Sequence, residues 1–194
     1  MKFAPAMAAL SVMAPPAFAA TEPADLLIRH ATIVDVARGR TIADQAVAVR
    51  NGDIVAVGTD RALSRRVSAN QSVDASGLYV MPGLWDMHVH FGGGPELIQE
   101  NKDLLPIYVA YGVTSVRDCA ADLGENVIQW RSEVAAGSLL GPTIYTSGPK
   151  LEGYKPLWKG TIEVGTTAEV DAALDRLQSM KVDFVKITDN TLKP

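Results

Sequence analysis

The sequence predicts an α/β protein in two parts, a small β unit followed by a parallel sheet covered by helices. Residues 26–80 are short β-rich runs broken by turn signals. From Met81 onward the rhythm becomes strand, helix, strand, helix. Regular β/α alternation argues for parallel strands joined by helical crossovers. At this level an open doubly wound sheet and a (β/α)8 barrel look alike. No glycine-rich phosphate loop follows any of the strands, which lowers the nucleotide-binding version.

The first residues are of a different kind. Lys2 supplies a positive start, residues 3–14 are mostly small and apolar, and Ala17-Phe18-Ala19 is an A-x-A pattern. That order predicts a secretory signal peptide over 1–19, cleaved near Ala19-Ala20, with the bacterial periplasm as the expected destination. The apolar run is too short to cross a bilayer, so no membrane span is expected.

The β unit is assigned to 20–80. Leu26–Ile28 and Thr32–Val34 read as strand pieces. Ala46–Val49 and Ile54–Val57 form a matched pair around Asn51-Gly52, a strong hairpin signal because both residues tolerate positive φ. Ser72–Asp74 and Leu78–Val80 complete a unit read as small and antiparallel, with a thin core. In 81–194, strands are expected at Leu84–His90, Val113–Cys119, Thr143–Thr146 and Phe184–Ile187. A helix is expected from about Pro95, with proline suiting its first turn, to Tyr111, with a bend at Pro106. A second runs over about Glu125–Ala136. A third opens at the capping box Thr166-Thr-Ala-Glu169.

Composition limits the function classes. The 194 residues are 47% hydrophobic and 21% charged, with a net charge of −4. Neither the charge nor any basic run suggests nucleic acid as a partner. With one cysteine, Cys119, no internal disulfide forms. Cys119 has no helper histidine nearby and reads as a small buried residue.

The chemistry centres on His88 and His90. Alternation along a strand points both imidazoles to one face. They stand at the C-terminal end of their strand, where barrel enzymes build active sites. Two such imidazoles suit a cation such as zinc. Phe91-Gly-Gly-Gly94 follows, a turn that allows close backbone approach. Asp86, two residues before His88, is expected on the same face, either orienting an imidazole or serving as a strand-start polar group. Taken alone, H-x-H is a weak signal. His30 has no partner at ligand spacing and reads as a surface residue. Arg117 and Asp118 end their strand facing opposite ways; one is expected to pair there and neither to be catalytic. The stretch 150–165, with Tyr154 and Trp158, lies where loops shape a barrel's substrate pocket.

The surroundings of the histidines are more specific. Val80-Met-Pro-Gly-Leu-Trp-Asp-Met-His-Val-His90 resembles the PGxxDxHxH signature of the amidohydrolase superfamily, matched at Pro82, Gly83, Asp86, His88 and His90. Tyr111–Asp118, Gly141–Gly148 and Val182–Ile187 resemble the second, third and fourth barrel strands of its imidazolonepropionase-like and Xaa-Pro-dipeptidase-like branch. The resemblance implies the first half of a (β/α)8 TIM-type barrel, strands one to four, preceded by a small β-sandwich domain. It implies metal ligation by His88, His90 and Lys186, the lysine as a carbamate that bridges two ions. A carbamate suits this because an ordinary ammonium offers no ligand atom. The reading of Lys186 as an exposed strand-end lysine stands against it.

The resemblance further implies one or two divalent ions, zinc first, and a metal-activated hydroxide acting on carbon–nitrogen bonds. The substrate class is a small amide, a cyclic amide or a dipeptide. The pattern also calls for two later histidines and a late aspartate, whereas all three histidines precede position 91. Met81–Pro194 is about half of a typical ~250-residue barrel. The chain is therefore expected to be an N-terminal fragment, inactive alone and prone to homo-oligomer formation through open strand edges. A non-catalytic module of the same fold for binding or assembly, and an open-sheet binding protein with an incidental H-x-H, stand as alternatives.

Overall fold

The computed structural model describes residues 21–188. The leader expected over 1–19 lies outside the described residues. The chain separates into two compact units, Met1–Pro82 and Gly83–Pro194.

The first unit holds β1 (Glu22–Asp35), β2 (Arg40–Arg50), β3 (Asp53–Thr59), α1 (Asp60–Arg66), β4 (Val67–Asp74) and β5 (Tyr79–Val80). Its five strands form one sheet in the order β3-β2-β1-β4, with β5 also on β1. The β2–β3 hairpin closes where expected. Arg50 pairs with Asp53 around Asn51 at φ 54° and Gly52 at φ 83°, and a two-residue hairpin turn of this hand requires both to be left-handed.

The sheet is not antiparallel throughout, contrary to the sequence reading. β4 and β5 run parallel to β1. The cause is α1, which seven polar-rich residues after Gly58 did not announce. It carries the chain from the β3 edge to the β4 edge, the crossover that parallel strands need. Its Leu63 packs with Leu27 and with Ala24, Ala46 and Ala48, whose small side chains let the helix approach.

The second unit is built on a parallel three-stranded sheet, β6 (Leu84–Val89), β7 (Val113–Asp118) and β8 (Thr143–Thr146), in that order. A 3-10 turn at Pro95–Leu97 leads into α2 (Ile98–Ala110), which continues through Pro106. α3 spans Gly124–Ala135 and α4 spans Thr167–Ser179. Short strands β9 (Leu151–Glu152) and β10 (Ile162–Glu163) pair in parallel. The capping box of α4 forms as read: Glu169 N donates to Thr166 Oγ1, and the Glu169 carboxylate accepts from Thr166 N. The main core joins Phe91, Leu105, Val116, Val127, Trp130 and Ile144. The Tyr108 and Trp130 rings meet Phe91 edge-on, a favoured aromatic geometry.

The strand expected at Phe184–Ile187 is reduced to one parallel bridge, Leu151↔Ile187. Asp183 N still donates to Thr146 O and Leu151 N to Lys186 O, so the segment lies along the end of β8 without forming a ladder. Among the described residues, no helix is long and apolar enough to cross a membrane.

Gly83 has a packing reason. A Cβ placed there would overlap the Thr114 side chain at the start of β7. Gly83→Ala is expected to destabilise the chain by ~1–3 kcal/mol in urea unfolding. Thr114→Gly should be far less sensitive to the same change. Equal losses in both backgrounds would show that Thr114 is not the cause.

Candidate metal centre

The end of β6 sets the centre. Asp86 pairs with Val116 and Val89 with Asp118, so three steps along β6 match two along β7. The additional residue is a bulge, and bulges re-aim side chains. His88 N donates to Asp86 Oδ1 at 3.1 Å across it. Asp86 therefore does not share the face of His88, as simple alternation suggested. Its partner position, Val116, is fully buried, and its charge reaches Tyr108 of α2, whose hydroxyl is pushed up first by burial and then by Asp86 and Asp118.

The two histidines do share a face. His88 Nε2 and His90 Nε2 lie 3.1 Å apart, with ring centroids 5.0 Å apart. His90 Nδ1 lies 3.3 Å from Ala120 O. A carbonyl only accepts, so Nδ1 carries the proton and the neutral ring keeps its Nε2 lone pair free. Two nitrogens bound at ~2.0–2.1 Å to one tetrahedral zinc stand roughly 3.3 Å apart, so the pair fits one ion.

Lys186 lines the same cavity, about 500 Å³, together with Asp122, Lys150 and Trp158. Its carbonyl accepts from Leu151 N at 2.9 Å, which fixes the segment beside β9. The glycine turn serves close approach. Gly93 N donates to Asp122 Oδ2 at 3.0 Å, and a side chain at Gly92 would overlap the same carboxylate. Asp122 Oδ1 is buried and without a hydrogen-bond partner.

Behind the histidines lies Asp118, fully buried. It accepts from Phe91 N at 3.2 Å and from Thr146 Oγ1 at 2.6 Å. Burial pushes its carboxyl up to about 6; the donors Thr146, Phe91 and Ala120 and the nearby His90 hold it from going higher. Arg117 turns the other way and lays its guanidinium 4.6 Å over the Phe184 ring. Sequence reasoning expected Arg117 or Asp118 to pair at the strand end, and it assigned no role to Asp122 or Lys150. The position of Asp118 at the end of β7 was the one available signal. Cys119 is buried as read.

His30 has partners that spacing did not reveal. Its Nδ1 lies 3.2 Å from Asp44 Oδ1 and 3.6 Å from Asp60 Oδ2. Three ligand-type groups thus meet in the first unit. Asp60 is already held by Arg29 in a fork of 2.9 and 2.7 Å. A cation there would have to displace a guanidinium, so the cluster reads as an ion-pair network at the β1 bulge.

No family model matches the sequence. The ochratoxinase of Aspergillus niger is 26% identical over 148 residues, 71% of this chain and 31% of that protein. The adenine deaminase of Listeria welshimeri is 33% identical over 135 residues, 68% of this chain and 22% of that protein. A crystal structure of a prolidase-like protein from Bifidobacterium longum superposes with a TM-score of 0.73 at 27% identity, covering 85% of this chain and 40% of that one. The chain belongs to the amidohydrolase superfamily. It spans under a third of the length of these two sequence relatives. Amidohydrolases related to it are hydrolases of carbon–nitrogen bonds that act on small molecules. The mixed α/β architecture agrees with theirs.

Asp118 gives a pH signature for this amidohydrolase chain. A carboxyl raised in the folded state favours folding most when protonated, so its contribution is full below pH ~4 and is lost as pH rises through about 6. The loss is on the order of 2–3 kcal/mol. In metal-free protein, Asp118→Asn should remove that part of the slope of unfolding free energy between pH 4 and 6.5. Parallel wild-type and variant curves would contradict it.

Proposed function

We propose that this chain supplies the first metal-binding half of a hydrolase that cleaves carbon–nitrogen bonds, with His88, His90 and Lys186 as its metal ligands. The observation that carries the reading is the 3.1 Å approach of two imidazole Nε2 atoms, one of them set as a lone pair by the Ala120 carbonyl. The donor set of imidazoles beside a lysine suits zinc once the lysine is carboxylated, because the carbamate offers two anionic oxygens. When bound, a divalent ion polarises the scissile carbonyl and activates water. The chain's own residues orient the ligands. Asp118 fixes the backbone at Phe91, and the Ala120 carbonyl fixes the His90 tautomer, the outer-shell support that ligating imidazoles need.

In this reading β6, β7, β8 and the segment at Ile187 are the first four strands of a (β/α)8 barrel, and the five-stranded sheet is part of the companion β-sandwich. The substrate class is a small amide, cyclic amide or dipeptide, and the leader over 1–19 directs export to the periplasm.

Zinc content after equilibrium dialysis tests the centre. His88→Ala and His90→Ala should each reduce bound zinc by about tenfold or more, in line with losing one ligand. Native mass spectrometry of the zinc-loaded protein should show the mass of one added CO2, absent in Lys186→Met. Unchanged zinc in both histidine variants would overturn the reading.

A further inference from the structure

Residues 158–161 form one wall of the cavity that holds His88, His90 and Lys186, and they belong to a loop with few anchors of its own. Leu157 is 83% and Trp158 64% exposed, so the tip buries little apolar surface. At the base, β9 and β10 pair over two residues each. Thr161 Oγ1 donates to Trp158 O, a bond that stays inside the loop. Lys155 stands at φ 63°, a region that residues with side chains enter at a cost. Segments with so few buried apolar contacts open at the low end of a protein's stability range.

One side chain ties this loop to the body of the unit. Among the described residues, Tyr154 is the only one of 154–160 whose side chain hydrogen-bonds outside the loop. Its hydroxyl donates to Glu169 Oε2 at 2.5 Å, the short range of a charge-assisted bond. That bond is the leading cause that holds the Glu169 carboxyl below its usual range and pushes the Tyr154 hydroxyl up, so a neutral phenol faces a carboxylate at neutral pH. Glu169 is itself fixed by Gly165 N and Thr166 N, both at 2.9 Å. Its helix, α4, packs through Ala173 and Leu177 with Leu151 and Val164. Gly165 serves the same contact. Its backbone is not left-handed, yet a Cβ there would overlap the Tyr154 ring. Tyr154 is nonetheless 52% exposed, so water competes for the bond and it opens reversibly.

We propose that Tyr154 is a latch whose bond to Glu169 holds residues 155–161 against the cavity, and whose release lets them swing out on β9 and β10. Tyr154 is a positioning residue and touches no reacting group. The consequence for the metal rests on the hydrolase reading: an unlatched loop leaves an ion at His88 and His90 open to exchange. The latch itself stands on Tyr154, Gly165 and Glu169 and needs no metal.

Hydrogen exchange of the metal-free full chain, followed by mass spectrometry, reads the latch. Tyr154→Phe should speed exchange of the amides of 155–164 about fivefold, the scale of one partly exposed hydrogen bond. It should leave α4 unchanged, because Gly165 N and Thr166 N still reach Glu169. Gly165→Ala crowds the ring while keeping the hydroxyl; it should give the same loop signature and add little to Tyr154→Phe. Removal of zinc by EDTA from the zinc-loaded chain should quicken by a similar factor in both variants. Loop exchange equal to wild type in Tyr154→Phe, or a rise spread equally over α4, would overturn the latch. Faster loop exchange with unchanged zinc removal would overturn its guarding of the cavity. A chain that takes up no zinc would sink the hydrolase reading, and the exchange comparison would still decide the latch.

Discussion

The second unit is organised around one buried carboxylate. Asp118 ends β7 and holds the turn after β6 through Phe91 N and the end of β8 through Thr146 Oγ1. Three parallel strands are thereby tied at the edge where the histidines emerge. Thr146 Oγ1 accepts in turn from Gly148 N, so the network reaches the segment that delivers Lys150. Such a group is costly to bury alone, and the donors around it offset most of that cost. The arrangement concentrates rigidity on His90, whose neighbours on both sides, Phe91 in sequence and Ala120 in space, are fixed by it.

Much of this was legible in the residues, for identifiable reasons. Asn51-Gly52, the capping box at Thr166 and the strand at Thr143–Thr146 depend on local chemistry, and local chemistry is written in sequence. The pairing of His88 with His90 followed from strand periodicity, and the register shift between Asp86 and Val89 does not undo it. Asp86 did not survive it, since one inserted residue reverses a face. α1 was missed because seven residues are too few to show a helical stripe, and its presence changed the sheet from antiparallel to mixed. The network at His30 joins residues 14 and 30 positions apart, a distance over which spacing rules carry no information. Lys150 gave no signal, because whether a lysine is solvated or walled in is decided only by what folds over it.

The glycines of the 92–94 turn show how the site trades side chains for closeness. Any Cβ at Gly92 collides with Asp122, and Gly93 and Gly94 hold φ of 101° and 102°, which side-chain-bearing residues rarely adopt. The turn therefore seats its backbone against Asp122, which in turn faces the cavity. Gly160 lies against the same residue, where a Cβ would collide with the Cβ and backbone of Asp122. Two loops distant in sequence thus close on one residue, whose carboxylate is the single one lining the cavity among the described residues.

Three lysines, Lys150, Lys159 and Lys186, line that cavity, and the neighbours of Lys150 and Lys186 differ. Carboxylation needs an amine lone pair, which an ammonium lacks. Lys150 is ion-paired to Glu152 at 3.2 Å and lies 5.7 Å from the centroid of the Trp158 indole. Lys186 has no ion pair or side-chain hydrogen bond among the described residues, and it sits between Val185 and Ile187 in a segment that Asp183 and Leu151 fix by backbone bonds. A metal bound at His88 and His90 would favour an anion at Lys186 and repel a cation there. The neighbours of Lys186 thus leave it available to a metal at the histidines, as the proposed reading requires, while Lys150 is already engaged by Glu152.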